Sequence, residues 1–286
     1  VKGPDAEKYV NHIFTNDITN APKGQIYYGM MLYENGGTVD DLLVYKMGEN
    51  DFFLVINAAN IDKDFDWIVK QAEGWDVRVK NESEYYGQLA VQGPEAESVV
   101  ETVLGIPCKE LVFYTSKTVE KDGETIIISR TGYTGEDGFE IYGSHDFIRR
   151  QWDALMESGK CKPCGLGCRD TLRFEVGLPL YGDELSENIS PVMAGLSMFC
   201  KLDKPEFIGK EAIAKQKAEG VKQKLVGIEL FDRAIPRHGY KVLHDGKEIG
   251  VVTTGYHTIS TDKSVCMALI DTEYSKLDTE VSIQIR

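Results

Sequence analysis

Of all the features of this 286-residue sequence, an internal echo spaced 90 residues apart most constrains how it can fold. Val1-Lys2-Gly3-Pro4-Asp5-Ala6-Glu7-Lys8-Tyr9-Val10 returns as Val91-Gln92-Gly93-Pro94-Glu95-Ala96-Glu97-Ser98-Val99-Val100. In each copy Gly-Pro closes an extended segment, and the proline is expected at the first helical position, where its missing N–H costs nothing. Acidic side chains follow where they favour the helix dipole. Apolar residues then recur at helical spacing: Tyr9, Val10, Ile13 and Phe14 in one copy, Val99, Val100, Val103 and Leu104 in the other. Such a chain must build two related α+β modules in succession.

Between and after the two helices the pattern favours strands. Alternating and β-branched runs at 25–33, 38–46 and 52–57 are separated by Gly36-Gly37 and by the turn at 48–51. Residues 62–72 read as an amphipathic helix with Phe65, Ile68 and Val69 turned inward. The second module is expected to hold strands at 85–91, 115–120, 125–129 and 138–142, with helices at 96–104 and 144–157. Neither half alternates strictly between strand and helix, so a doubly wound parallel sheet is disfavoured. Past Lys204-Pro205 a short helix at 210–219 leads into strands at 224–230, 240–244, 248–254, 264–270 and 281–285, as in a small all-β domain. Three domains are expected: 1–84, 85–203 and 204–286.

The net charge of −14, with no cluster of basic side chains, excludes a nucleic-acid footprint. No apolar run approaches the ~18 residues of a membrane span. Six scattered cysteines suit a reducing compartment, cytoplasmic in a bacterium or the mitochondrial matrix in a eukaryote. The first residues read as the end of a strand, so the chain is expected to begin inside a domain.

Candidate chemistry is sparse. Cys161-x2-Cys164-x3-Cys168 lacks a nearby fourth ligand, and the competing reading is a loop entering a helix, with the thiols as small apolar groups. The glycine-rich run 132–138 fits neither phosphate-binding fingerprint; it reads as a turn that lets backbone approach something flat, or as a plain turn. Asp40 and Asp41 are strand neighbours, so only one can face a pocket. Catalysis competes there with a turn or cap role, and Asn57 alone would be a capping residue. The five histidines show no ligand spacing and no nucleophile partner.

Taken together and in order, several segments are familiar. They are Asp40-Asp41-Leu42 after Gly36-Gly37, Val55-Ile56-Asn57-Ala58, the paired Gly-Pro turns, Arg130 to Glu140, Gly165 to Arg173, Gly177 to Gly182 and Phe207-Ile208-Gly209-Lys210-Glu211. The chain resembles the aminomethyltransferase, or T-protein, family of the glycine cleavage system over essentially its whole length. The resemblance implies an α+β, three-domain cloverleaf with a small β-barrel-like C-terminal domain and tetrahydrofolate in a central channel. It also implies transfer of a one-carbon unit from the aminomethyl-dihydrolipoyl arm of the H-protein to tetrahydrofolate, with release of ammonia and formation of 5,10-methylenetetrahydrofolate. Asp41 matches the catalytic aspartate, Glu140 the carboxylate that accepts two pterin N–H donors, and Arg169 a folate-contacting arginine. Tyr28, Asn57, Tyr114 and Tyr133 match lining positions, and no metal is implied.

The sequence departs from the family at Met193, Met198 and 254–259, and the resemblance implies a folate-side segment before the first Gly-Pro and an aromatic-bearing tail that are expected to lie outside these residues. Alternatives are a folate-dependent demethylase, a folate domain of a glycine-derivative oxidase, and a non-catalytic folate-binding protein of iron–sulfur maintenance. The last is disfavoured because Glu206 and Phe207 stand where that branch carries a cysteine.

Overall fold

A computed structural model describes residues 1–285. In chain order the first elements are α1 (Ala6–Ile13), β1 (Ile26–Leu32), β2 (Thr38–Gly48), β3 (Asp51–Val55) and α2 (Ile61–Gln71). They are followed by β4 (Tyr86–Gln92), α3 (Ala96–Thr102), β5 (Ser116–Lys121), β6 (Glu124–Ser129), β7 (Gly138–Ser144), α4 (His145–Ser158) and α5 (Leu166–Glu175). The last are α6 (Lys210–Glu219), β8 (Gln223–Glu229), β9 (Lys241–His244), β10 (Lys247–His257), β11 (Ser264–Asp271) and β12 (Ser282–Gln284). The architecture is mixed α+β, with sheets ordered β1-β2-β3, β4-β7-β6-β5 and β12-β9-β10-β11-β8. No helix among the described residues is long and apolar enough to cross a membrane.

The chain divides into two compact units. The first holds Val1–Val10, Ile18–Tyr27 and Leu43–Val176; the second holds Asn11–Asp17, Tyr28–Leu42 and everything from Gly177 onward.

Within the first unit the sequence echo is an echo of hydrogen bonds. Ala6 N donates to Gly3 O at 3.0 Å and Ala96 N to Gly93 O at 2.9 Å; Tyr9 N donates to Asp5 O at 2.8 Å and Val99 N to Glu95 O at 2.9 Å. Both glycines lie in the positive-φ region, at 141° and 126°, which an L side chain rarely adopts. Pro4 and Pro94 therefore belong to the turn that precedes each helix, two residues before the first helical position where proline was expected, because a glycine in this conformation must end the extended segment before the helical ladder starts. Gln25 and Thr115, themselves 90 apart, pair as an antiparallel bridge. Lys46 then reaches Glu7 at 2.9 Å, while Arg130 reaches Glu97 at 3.1 Å. The echoed acids Glu7 and Glu97 thus each bind a cation, the buried Lys46 in one copy and the half-buried Arg130 in the other.

Strand alternation decides what β7 presents. Phe139 and Ile141 point into a core with Val99, Val100, Ile126, Ile128 and Phe147. Each such side chain contributes about 2–3 kcal/mol when removed from water. Glu140 and Tyr142 consequently emerge on the opposite face, opposite Ser129 and Ile127 of β6.

Helix α2 departs from its expected face. Ile68 is buried but Val69 is 45% exposed, and the fully buried Asp64 takes the inward position, paired with Lys63 at 3.0 Å. A 3.6-residue period places positions 64 and 68 on one stripe and rotates 69 off it.

In the second unit β8 to β12 enclose a core of Val242, Ile249, Val252, Cys266, Ala268 and Ile270. Gly250 is obligatory there, since a Cβ would lie 2.1 Å from the Leu269 carbonyl oxygen. A separate cluster of Met30, Leu32, Cys200, Phe207 and Ile213 packs against Tyr28 and Phe199.

Candidate functional site

In the first unit the carboxylate of Glu140 sits half-buried among polar side chains on the sheet face away from the core. Gln88 Nε2 donates to its Oε1 at 2.6 Å and the Thr131 hydroxyl donates to its Oε2. Burial holds the acid above the ordinary carboxylate range; the Thr131 bond, the Arg169 charge and the bonds from Tyr142 and Gln88 oppose that rise. A carboxylate has about four lone-pair sites, and these two donors leave room on both oxygens for a planar pair of N–H groups. A cleft of about 610 Å³ opens beside it, lined by Phe53, Val55, Phe65, Tyr86, Gln88 and Tyr142.

Arg169 lies in the first turns of α5, exposed, its guanidinium 4.6 Å from the centre of the Tyr133 ring. That stack restrains a long side chain whose charge also reaches Glu140. Tyr114 adopts a left-handed φ of 63°. Its carbonyl accepts from Ile26 N at 2.9 Å and Gln25 Nε2 at 3.0 Å. Its phenol is pushed up to about 12 by burial, with the Glu140 charge adding to the rise. Asn57 is the N-cap of a single 3-10 turn, Ala58–Asn60, yet its side chain makes no capping bond.

Tyr28 and Asp41 belong to the second unit. The Tyr28 hydroxyl donates to Asp41 Oδ2 at 2.9 Å, and the Phe199 ring stands edge-on to Tyr28 at 4.9 Å. Asp40 is fully buried whereas Asp41 is half-buried, as alternation on β2 requires. The structure therefore joins Tyr28 with Asp41, and Glu140 with Tyr114, Arg169 and Tyr133.

The glycine-rich run has a local cause. A Cβ on Gly132 or Gly138 would fall inside the Gln92 amide, at 1.8 and 2.4 Å. That amide donates to Thr131 O at 3.1 Å and accepts from the Thr134 hydroxyl at 3.1 Å. The flat group that the loop admits is thus a side chain of the protein itself. Asp137 in the same loop is clamped by Arg130, Nε to Oδ1 at 2.8 Å and Nη2 to Oδ2 at 2.6 Å.

Sequence reasoning missed Gln88, Thr131, Ser129, Tyr45 and Tyr142. The inward-outward alternation of β4, β6 and β7 was the available signal, but it needed the strand pairing to be read. It also missed a contact of His257 with Asp262 at 2.9 Å and Ser264 at 3.1 Å. Ser264 is 3% exposed, so this chain of contacts fastens the β10–β11 hairpin rather than presenting a nucleophile. Among the described residues no three His, Cys, Asp or Glu side chains are grouped to hold a metal.

The fold and site define a mixed α+β protein with a small β domain at its C-terminal end and a half-buried acid beside aromatic and basic side chains. Residues 1–204 match the GCVT N-terminal domain family, and residues 223–286 match the Glycine cleavage T-protein C-terminal barrel domain family. The chain belongs to the glycine cleavage T-protein family. It is 48% identical over 290 residues to an aminomethyltransferase of Lysinibacillus sphaericus (strain C3-41), covering 100% of this chain and 79% of that protein. It is 49% identical over 291 residues to an aminomethyltransferase of Clostridium botulinum (strain Okra / Type B1), with the same coverage. Among solved structures it is similar to the glycine cleavage system aminomethyltransferase T from Bartonella henselae, with a TM-score of 0.93 and 32% identity over 100% of this chain and 78% of that one.

Proposed function

We infer that the chain is an aminomethyltransferase of glycine cleavage that uses tetrahydrofolate as one-carbon acceptor and the lipoylated H-protein as donor. Identity of 48–49% across its whole length to curated aminomethyltransferases is the observation that carries this reading. Those relatives favour it over a demethylase, an oxidase domain or an iron–sulfur maintenance protein.

The chemistry sets what the residues must do. The donor carbon is bonded to an amine and to sulfur, and both bonds break while two folate nitrogens bond to it. Each folate nitrogen loses a proton; one proton leaves with ammonia and the other restores the thiol. A carboxylate at the reacting amine that orients it and handles a proton meets this need, and Asp41, held by Tyr28, takes that role. Glu140 accepts the paired N–H donors on the pterin edge. Arg169, restrained over Tyr133, offers its fork to a carbonyl or carboxylate of the ligand. Asn57 and Tyr114 line the folate site. Titration of the full-length protein with tetrahydrofolate, in Glu140→Gln and Arg169→Ala variants beside the parent, tests the binding half. The account expects weakened binding in both, and unchanged affinity in both would refute it.

A further inference from the structure

The contacts around Glu140 close into a ring. From Gln88 Nε2 one bond goes to Glu140 Oε1 at 2.6 Å and another to the Tyr142 hydroxyl at 3.3 Å. Tyr142 and Tyr45 hydroxyls are 3.0 Å apart, Tyr45 and Ser129 3.1 Å, and Ser129 and Thr131 2.7 Å, and Thr131 returns to Glu140 Oε2. Tyr45, Ser129, Thr131 and Tyr142 are all 2% exposed or less, so water does not supply alternative partners for these four hydroxyls, while Gln88 is exposed and Glu140 half-buried.

One arrangement of hydrogens satisfies every member when Glu140 is ionised. The carboxylate has no hydrogen and must accept from both sides. The two hydrogens of the Gln88 amide go to Glu140 and Tyr142. Each hydroxyl has a single hydrogen, so the series runs Tyr45 to Ser129, Ser129 to Thr131 and Thr131 to Glu140, with the Tyr142 hydrogen going to Tyr45 or to Glu140 itself. The hydroxyl dipoles of this series then align towards the carboxylate, each polarising the next. A protonated Glu140 can join by turning the Thr131 hydroxyl round towards Ser129, whose own hydrogen then goes to the Glu140 backbone carbonyl oxygen at 3.4 Å, or by aiming its proton at the open side where a ligand's N–H donors must sit.

We propose that Thr131, Ser129, Tyr45 and Tyr142 form a directed relay that positions the Glu140 carboxylate and sets the pH at which it accepts a ligand's paired N–H donors. These are positioning residues: they act through Glu140 and touch no reacting atom. The charged and titratable groups facing Glu140 are Arg169 of α5, Tyr45 of β2, Tyr142 of β7 and Tyr114 ahead of β5. Burial raises all three tyrosines, so within pH 4 to 8 they stay neutral and Glu140 is the group that titrates. The ligand half of the proposal rests on the folate reading of Glu140; the relay itself does not.

The test separates the two. Full-length protein labelled at glutamate side-chain carbons is titrated by NMR, with the Glu140 signal identified by its loss in Glu140→Gln. Thr131→Val should raise the Glu140 midpoint by about one pH unit, the loss of one charge-assisted hydrogen bond. Thr131→Ser should restore it. Tyr45→Phe, which removes one oxygen three hydrogen bonds from the carboxylate through Ser129 and Thr131 and is the mildest change, should raise it by a smaller amount. Unmoved midpoints in both Thr131→Val and Tyr45→Phe overturn the relay; if Thr131→Val does not fold, Tyr45→Phe alone decides. Tetrahydrofolate affinity is then measured against pH in the same proteins. A binding midpoint that follows the NMR midpoint supports the ligand half, and pH-independent binding alongside a moved NMR midpoint overturns that half while leaving the relay in place.

Discussion

The Tyr28 hydroxyl donates to Asp41 Oδ2 at 2.9 Å, so one oxygen of the proposed catalytic carboxylate is held by a ring that Phe199 braces edge-on. Asp41→Asn removes the proton-handling group and should lower kcat by about 10²–10⁴, the range for losing a positioned acid or base. Tetrahydrofolate affinity should change far less. Tyr28→Phe should lower kcat by roughly tenfold, the worth of one hydrogen bond to a charged group. Steady-state kinetics beside a binding titration distinguishes these outcomes from equal losses in both quantities, which would mean a purely binding role.

Glu140→Gln should trade function for stability. Burial raises the Glu140 carboxyl above its ordinary value, so its contribution to stability is fully present below the unfolded value and is lost as pH rises through the folded one. The amide variant carries no such loss. Urea unfolding should show Glu140→Gln matching the parent near pH 4 and exceeding it at pH 7, while tetrahydrofolate binds it more weakly.

Asp137 behaves in the opposite sense. The Arg130 hydrogen bonds hold its carboxyl below the ordinary range. Its stabilising contribution is present above the unfolded value near 4 and disappears as pH falls through the lowered folded one. Asp137→Asn should therefore cost about 1 kcal/mol at pH 7, a surface-screened amount, and nothing at strongly acidic pH.

The ion pairs of the echoed acids Glu7 and Glu97 should not be equivalent. Lys46 is 5% exposed and depends on Glu7, with the Glu49 carbonyl and the Phe52 ring as its other contacts. Removing Glu7's charge leaves a buried cation, and Glu7→Gln should cost about 3 kcal/mol. Arg130 keeps Asp137 when Glu97 is neutralised, so Glu97→Gln should cost about 1 kcal/mol or less. Chemical denaturation of the two variants gives the comparison directly.

Much of the fold was legible because its signals are local. The Gly3-Pro4 and Gly93-Pro94 turns, the run of Ile126 and Ile128, and Ser144 before α4 each declare an element within a few residues. Ser144, read as the first residue of the 144–157 helix, stands instead as its N-cap and accepts from Phe147 N at 3.2 Å. Asp64 was not legible: a charged residue on an inward stripe contradicts periodicity, and only tertiary packing reveals it. The site divides along the same line. Asp41, Glu140 and Arg169 stand in recognisable segments, whereas Gln88, Ser129 and Tyr45 come from three strands far apart in sequence. Nothing in their own neighbourhoods marks them; strand pairing across β4, β7 and β6 brings Gln88 and Ser129 to Tyr142 and Glu140, and Tyr45, from a different sheet, joins through its hydroxyl contacts with Ser129 and Tyr142.

The central claim is tested most directly by ammonia release. Full-length protein is mixed with aminomethylated H-protein and tetrahydrofolate, and ammonia and 5,10-methylenetetrahydrofolate are measured together. The account predicts both products in equal amounts, with turnover strongly reduced in Asp41→Asn. Failure of the parent protein to release ammonia under these conditions would contradict it.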